Sequence, residues 1–317
     1  GLPTGSGKTS ILQIWLLALG WKGLHALEVP IPRRLVWVVN RRVVVDQATE
    51  EAEGIVRAIE GIANQDPSDP LIRGLRSYSQ SGKLLAVSTL RGQKADNREW
   101  SDDPSTPAIV VGTVDMIGSR LLFRGYGDGK YWRPQHAGLL GVDTFIVNDE
   151  SHLTPAFAEL LVELKRRQPA AKIPGKTFRI LLVSATDGGR GEHPFPASLE
   201  EDLKHNERFR RVYEADKRLM LHECADKRSA ESKMLELALE PGALRTLIFI
   251  ESPEDAAQFA DRVAKKAGSD RVCLLTGTMR GWERDQLVKN PVFQQFLRRE
   301  LPGDPCWLVA TSAAEVG

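Results

Sequence analysis

Short apolar runs rich in β-branched residues recur along the chain, separated by stretches with helical spacing. LVWVVN (35–40), LLAVST (84–89), AIVVGT (108–113), TFIVND (144–149) and FRILLVSA (178–185) are nearly continuous apolar runs. That is the pattern of parallel strands buried on both faces. Between them, TSILQIWLLAL (9–19), VDQATEEAEGIVRAIEG (45–61) and FAELLVELKRR (157–167) predict helices. Strands alternating with helices predict an α/β domain built on a parallel sheet. Two stretches, 92–107 and 124–138, read as long polar loops inside that domain. In the second, Tyr126, Tyr131 and Trp132 suit base stacking, but packing of the loop onto its own domain is the favoured reading.

The segment DGGRGEHPFPAS (187–198) crowds glycine and proline together and reads as a turn or linker. The alternation then resumes with RLMLHE (218–223), TLIFI (246–250), RVCLLT (271–276) and CWLVAT (306–311) as strands. Ser252, Pro253, Glu254 and Asp255 supply an N-cap, a first-turn proline and two acids, predicting a helix through about Lys266. The chain therefore reads as two α/β domains in tandem, the first over 1–188 and a linker with a second over 189–317.

Composition narrows the function classes. A net charge of +1 over 317 residues gives no globally basic surface, so any nucleic acid is held in a local groove. The longest apolar stretch near the start, IWLLALGW, is far too short to span a membrane. Cys224, Cys273 and Cys306 have no metal-ligand spacing and read as small core residues of a reducing cytosol.

Three motifs carry the chemistry. PTGSGKT (3–9) reads as a phosphate-binding loop. Thr4, Gly5, Ser6 and Gly7 let backbone N–H groups point at phosphates; Lys8 reaches the β- and γ-phosphates; Thr9 offers a hydroxyl to Mg²⁺. The strict pattern would have glycine where this chain has Leu2. TFIVNDESHL ends a buried strand in Asp149, Glu150, Ser151 and His152. Adjacent carboxylates at a core edge are costly unless used. Asp149 suits Mg²⁺ and Glu150 suits orienting or deprotonating an attacking water. Asp149 or Ser151 also suits the N-cap of a helix starting at Pro155. The next strand, FRILLVSAT, ends in Ser184, Ala185 and Thr186.

With these motifs in order, the chain resembles superfamily 2 helicases: PTGSGKT looks like motif I, DESH like the DExH-type motif II and SAT like motif III. TLIFIESPEDA (246–256) looks like motif IV and LVATSAAEVG (308–317) like motif V. Within that superfamily it looks most like the helicase part of the CRISPR-associated helicase–nuclease of type I systems. That resemblance rests on VVNRRVVVDQ (38–47), VSTLRGQ (87–93), IVVGTVDMIGSRLLFRGYG (109–127) and LLTGTMRGWERD (274–285).

The resemblance implies two RecA-like domains, the second incomplete, that bind ATP and Mg²⁺ between them and translocate along single-stranded DNA. It implies that Lys8, Asp149, Glu150 and His152 are catalytic and that Ser184 and Thr186 couple nucleotide state to domain closure. It implies backbone-phosphate contacts from Arg41, Thr89, Arg91 and Thr113 in the first domain and from Ser252, Thr278, Arg280 and Thr311 in the second. It further implies a monomer in the prokaryotic cytoplasm, recruited by an RNA-guided CRISPR surveillance complex in antiviral defence. Another DExH-type RNA or repair helicase remains an alternative, as does a non-hydrolysing, nucleotide-gated clamp. The family pattern continues to an arginine-bearing motif VI beyond Gly317, and none of His25, His136, His152, His193, His205 and His222 begins the His-Asp pair of the family nuclease. The expectation is a fragment that hydrolyses ATP poorly on its own.

Overall fold

The computed structural model describes residues 7–40, 42–90, 97–168, 177–184, 199–216, 218–297 and 303–314. The chain divides into two compact units, Gly1–Asp216 and Lys217–Gly317. The boundary read from sequence at 188/189 and the linker 187–198 lie outside the described residues.

The first unit holds a five-stranded sheet of β1 (Arg34–Val39), β2 (Ala86–Leu90), β3 (Ala108–Thr113), β4 (Thr144–Asn148) and β5 (Phe178–Leu182), in the order β2-β3-β1-β4-β5. Every pairing is parallel. All six residues of β1 and of β3 are buried, as continuous apolar runs require when helices cover both faces. The helices are α1 (Ser10–Leu24), α2 (Arg42–Gln65), α3 (Pro70–Arg76), α4 (Glu99–Asp102), α5 (Val114–Leu121), α6 (Trp132–Gly141), α7 (Pro155–Arg167), α8 (Leu199–His205) and α9 (Glu207–Tyr213). On one face Val36, Val38, Val110 and Ile146 pack with Ile117, Leu140, Phe157 and Leu161.

Helices α1 and α3 approach through glycine. A Cβ built on Gly74 would lie 1.9 Å from the Gly20 carbonyl oxygen, and one on Gly23 would lie 2.2 Å from that of Gly74. No other residue type permits this spacing.

The second unit holds a parallel sheet of β6 (Arg245–Phe249), β7 (Val272–Leu275) and β8 (Cys306–Ala310), ordered β6-β8-β7. Helices α10 (Lys227–Ala238), α11 (Pro253–Ala267), α12 (Gly281–Val288) and α13 (Pro291–Leu297) complete its described part. Ile248, Trp307 and Val309 pack against Phe259, Val263 and Leu235, and the Trp307 indole N–H donates to the Ala238 carbonyl at 2.6 Å. Cys273 and Cys306 are buried and free, and burial pushes the Cys273 thiol up to about 11.

Four expectations need correction. RLMLHE (218–223) forms no strand: Leu219, Met220 and Leu221 are 84%, 67% and 87% exposed. An apolar run becomes a strand only beside a ladder partner, and β6 pairs only with β8 among the described residues. The stretch 124–138 is not a plain loop, because Trp132–Gly141 is helical and buries His136. Of its aromatics, Trp132 packs against His136, with ring centroids 5.9 Å apart, but the tyrosines do not pack inward: Tyr126 is 59% and Tyr131 94% exposed. The stretch 92–107 contains α4, which buries Trp100; its residues 92–96 lie outside the described set.

Candidate functional site

The carboxyl ends of β1, β4 and β5 meet the start of α1. The Asp149 N–H donates to the Val38 carbonyl at 2.9 Å, and the Ser151 N–H donates to that of Val183 at 2.9 Å. These bonds carry the strand ladder past its last paired residues and hold the acidic turn over the sheet's edge. Glu150 takes φ 48°, in the left-handed region, and the turn continues into a short 3-10 segment, Ser151–Leu153. Such a backbone costs of order 1 kcal/mol or more in a non-glycine residue and persists only when its surroundings over-determine it. Beneath the turn, buried Asn148 donates from Nδ2 to the buried Thr154 hydroxyl at 3.1 Å.

The turn aims Glu150 at Lys8, just ahead of α1. Lys8 Nζ donates to Glu150 Oε1 at 2.9 Å, with the two side chains only 10% and 17% exposed. Glu150 Oε2 is buried and accepts no hydrogen bond among the described residues; His152 Nδ1 lies 3.5 Å from it. His152 Nδ1 also lies 2.9 Å from Ser184 Oγ, which joins the acidic turn after β4 to the end of the β5 segment. The capping alternative for the acidic turn is not what forms: Thr154 occupies the N-cap of α7, with no side-chain cap bond.

Asp149 stands beside this pair. Burial raises its carboxyl above the ordinary range; Lys8 opposes the rise and neighbouring Glu150 adds to it. Folding therefore favours the protonated form. That contribution is complete below the unfolded-state pKa and is lost as pH rises through the folded-state value. Asp149→Asn, uncharged at every pH, is expected to melt above the parent at pH 7, with the gap closing as pH falls to about 4. A thermal-denaturation series over that range checks it, and an equal melting temperature at pH 7 would refute it. Stability surrendered to hold an ionised carboxylate at a core edge is what a functional group at that place entails.

Thr9 and Gly7 border a cavity of about 430 Å³ that Ser10, Gln13, Glu51, Gly54, Ile55 and Ala58 complete. Glu51 lines this cavity with Thr9; burial lifts its carboxyl, and its interaction with Thr9 partly opposes the rise. Glu51 was not legible in the sequence: on an amphipathic helix it reads as one more surface acid, and only the tertiary fold brings it to the cavity that Thr9 lines. Asp149 and Thr9 offer hard oxygen donors, the chemistry Mg²⁺ takes when phosphates complete its shell. Among the described residues no group of three or more His, Cys, Asp or Glu side chains is placed to hold a metal ion by itself. Thr4, Gly5, Ser6 and Thr186 lie outside the described residues, as do Arg41 and Arg91.

The remaining residues read as strand contacts all sit at or just past the carboxyl end of a parallel strand, the edge where open α/β sheets bind ligands. Thr89 lies on β2, and its hydroxyl is 3.1 Å from that of Thr49, which itself donates to the Val45 carbonyl. Thr113 is buried at the end of β3 and caps α5 by accepting from the Met116 N–H. Ser252 caps α11 from the Asp255 N–H at 3.1 Å. Thr278 lies 3.1 Å from Thr276, Thr311 is buried after β8, and the Arg280 N–H donates to Glu283 at 2.8 Å. The hydroxyls of Thr113 and Ser252 thus already serve the fold as helix caps. The structure brings together Lys8, Glu150, His152 and Ser184; it distributes the others along the two sheet edges.

These two parallel sheets flanked by helices have the architecture of RecA-like helicase domains. No protein-family model matches the chain, and neither does any curated protein. Solved structures do resemble it. The DUF1998 helicase MrfA bound to DNA and AMPPNP matches with a TM-score of 0.55 at 17% identity, over 99% of this chain and 39% of that one. The Mycobacterium smegmatis helicase Lhr bound to ssDNA and AMP-PNP matches at 0.52 and 16%, over 99% and 37%. T. fusca Cas3 with ATP matches at 0.51 and 15%, over 99% and 38%. At such identities the likeness establishes the fold. The chain spans about two fifths of the length of these three proteins. Among the described residues no helix is long and apolar enough to cross a membrane.

Proposed function

We propose that this chain carries the ATP-hydrolysing motor of a single-stranded DNA translocase or helicase of the type I CRISPR kind. The observation that carries the reading is the half-buried Lys8–Glu150 pair at the carboxyl edge of the first sheet, with Glu150 Oε2 left as an acceptor. In this reading Lys8 exchanges Glu150 for the β- and γ-phosphates of ATP. Glu150 then orients the attacking water and takes its proton, and His152 with Ser184 relays the state of the site toward the second unit. Thr9 and Asp149 would hold Mg²⁺, which when bound offsets phosphate charge. Thr89, Thr113, Ser252, Thr278, Arg280 and Thr311, with Arg41 and Arg91, would position the strand through its backbone without reading sequence.

The CRISPR assignment rests on the sequence motifs, with the Cas3 likeness in support. The comparable likeness to MrfA and Lhr supports a repair-type or other helicase as the second reading. ATP hydrolysis by a form of the protein that includes the arginine-bearing motif VI, measured with no nucleic acid, with single-stranded DNA and with single-stranded RNA, separates them. Stimulation by DNA alone is the expected result. Stimulation by RNA alone would overturn the DNA assignment, and no turnover in any arm would favour a nucleotide-gated clamp over an enzyme.

A further inference from the structure

The segment that joins α5 to α6 turns large apolar side chains outward. Tyr131 is 94% exposed, Tyr126 59%, Phe123 57% and Leu122 53%, with Trp132 at 38% beside them. A slack connection would fold such groups back onto the domain. A buried framework under the loop prevents that. Arg120 Nη2 donates to Asp128 Oδ1 at 3.0 Å and His136 Nδ1 lies 2.9 Å from Asp128 Oδ2, with all three side chains under one-tenth exposed. Arg133 Nε donates to the Asp128 carbonyl at 3.1 Å. Gly125 is pressed so close that a Cβ there would meet Asp128 Oδ2 at 2.0 Å and Arg120 Cγ at 2.9 Å. The loop also turns through φ 60° at Phe123 and 77° at Gly127. A loop pinned from beneath in this way displays its aromatics in a set geometry, so the ordering cost is met in folding rather than at binding.

Charge indicates what the display is for. From Leu122 to Arg133 the sole acid is Asp128, and it is consumed by the buried pair. Arg124 and Lys130 remain at the surface, and the Arg98 guanidinium lies 5.6 Å from the Trp132 ring centroid. The outward face is therefore aromatic and cationic, with no exposed carboxylate from the segment. Aromatic faces for bases and cations for phosphates are the requirements for gripping a single strand without reading it. The eight-residue α5 sets this loop about 12 Å along its axis from Thr113, its own N-cap.

We propose that the loop from Leu122 to Trp132 is a base-stacking site for single-stranded nucleic acid, with Tyr126 and Tyr131 as its stacking faces. The proposal rests on the nucleic-acid-binding reading above and adds to it a site outside the strand-end hydroxyls. The test compares the parent chain with the double variant Tyr126→Ala/Tyr131→Ala and with its Tyr→Phe counterpart. The probes are fluorescein-labelled oligo-dT of about 16 nucleotides and an abasic oligomer of equal length. Both tyrosines are exposed, so the variants should melt with the parent. The double alanine variant is expected to bind oligo-dT at least about tenfold more weakly, with little change toward the abasic strand and near-parent binding by the phenylalanine variant. Undiminished binding of oligo-dT by the alanine variant would overturn the loop site while leaving the nucleic-acid reading intact. Equal losses on both probes would overturn stacking as its basis. A parent that binds neither probe would overturn the underlying reading as well.

Discussion

Glu150→Gln is expected to lower ATP hydrolysis by about 10²–10⁴-fold, the span that a positioned general base contributes, while MgATP binding changes by a few-fold at most. The amide keeps the size and planarity of the carboxylate and can still face Lys8, so the nucleotide pocket survives. What disappears is the acceptor at Oε2, the buried oxygen that takes no hydrogen bond among the described residues. Lys8→Ala should behave differently. It removes the cation that Glu150 now holds at 2.9 Å, and with it the charge-assisted contact to the phosphates. Its primary defect is therefore in MgATP affinity, by an order of magnitude or more at about 1.5–3 kcal/mol for a hydrogen bond to a charged group. Titration of a fluorescent ATP analogue reads Lys8→Ala directly in this chain. Glu150→Gln is read in a form of the protein with steady turnover. Unchanged hydrolysis in Glu150→Gln would remove that residue from the chemistry, and unchanged affinity in Lys8→Ala would remove the phosphate loop from nucleotide binding.

The second large effect concerns stability. Gly74→Ala is expected to destabilise the first unit by about 2 kcal/mol, because its new methyl would sit 1.9 Å from a backbone oxygen of α1. Overpacking typically costs about 1–3 kcal/mol. The clash here is with main chain and cannot be relieved by a rotamer change, which places it at the upper end. Against it stands about 1 kcal/mol of helix propensity gained over glycine. Gly61→Ala, on α2 where a Cβ meets nothing within 4 Å, isolates that gain and should stabilise by about 0.5–1 kcal/mol. Chemical denaturation of the two variants and the parent reads both. Equal effects of the same sign would show that the α1–α3 contact does not constrain the fold. Because Lys8 lies just ahead of α1, a shift of that helix should also weaken nucleotide binding in Gly74→Ala but not in Gly61→Ala.

The strands were legible where the chain alone decides them. AIVVGT (108–113) matches β3, and the runs at 35–40, 144–149, 246–250 and 306–311 each hold a strand shifted by a residue at most at either end. An unbroken apolar run between turn residues has no stable place except a sheet covered on both sides. RLMLHE shows the limit of that inference. Its composition matches the others, yet strand formation depends on a partner elsewhere in the chain, and composition carries no record of that partner. The loop 124–138 failed for a related reason. Its glycines and charges read as solvated, but Asp128 is buried because Arg120 and His136, each eight residues away, converge on it.

The candidate site divides in the same way. By itself the sequence marked Lys8 and Thr9, the acidic turn after β4 and the serine after β5 as a candidate site, since each belongs to a local pattern of residue types. Tertiary structure decided that Lys8 and Glu150, 142 residues apart, share a hydrogen bond, that Glu51 lines one cavity with Thr9, and that two tyrosines stand in solvent over a buried ion pair. Contacts between distant segments depend on how helices and strands pack, and packing is a property of volumes and directions in space that no single stretch of residues contains.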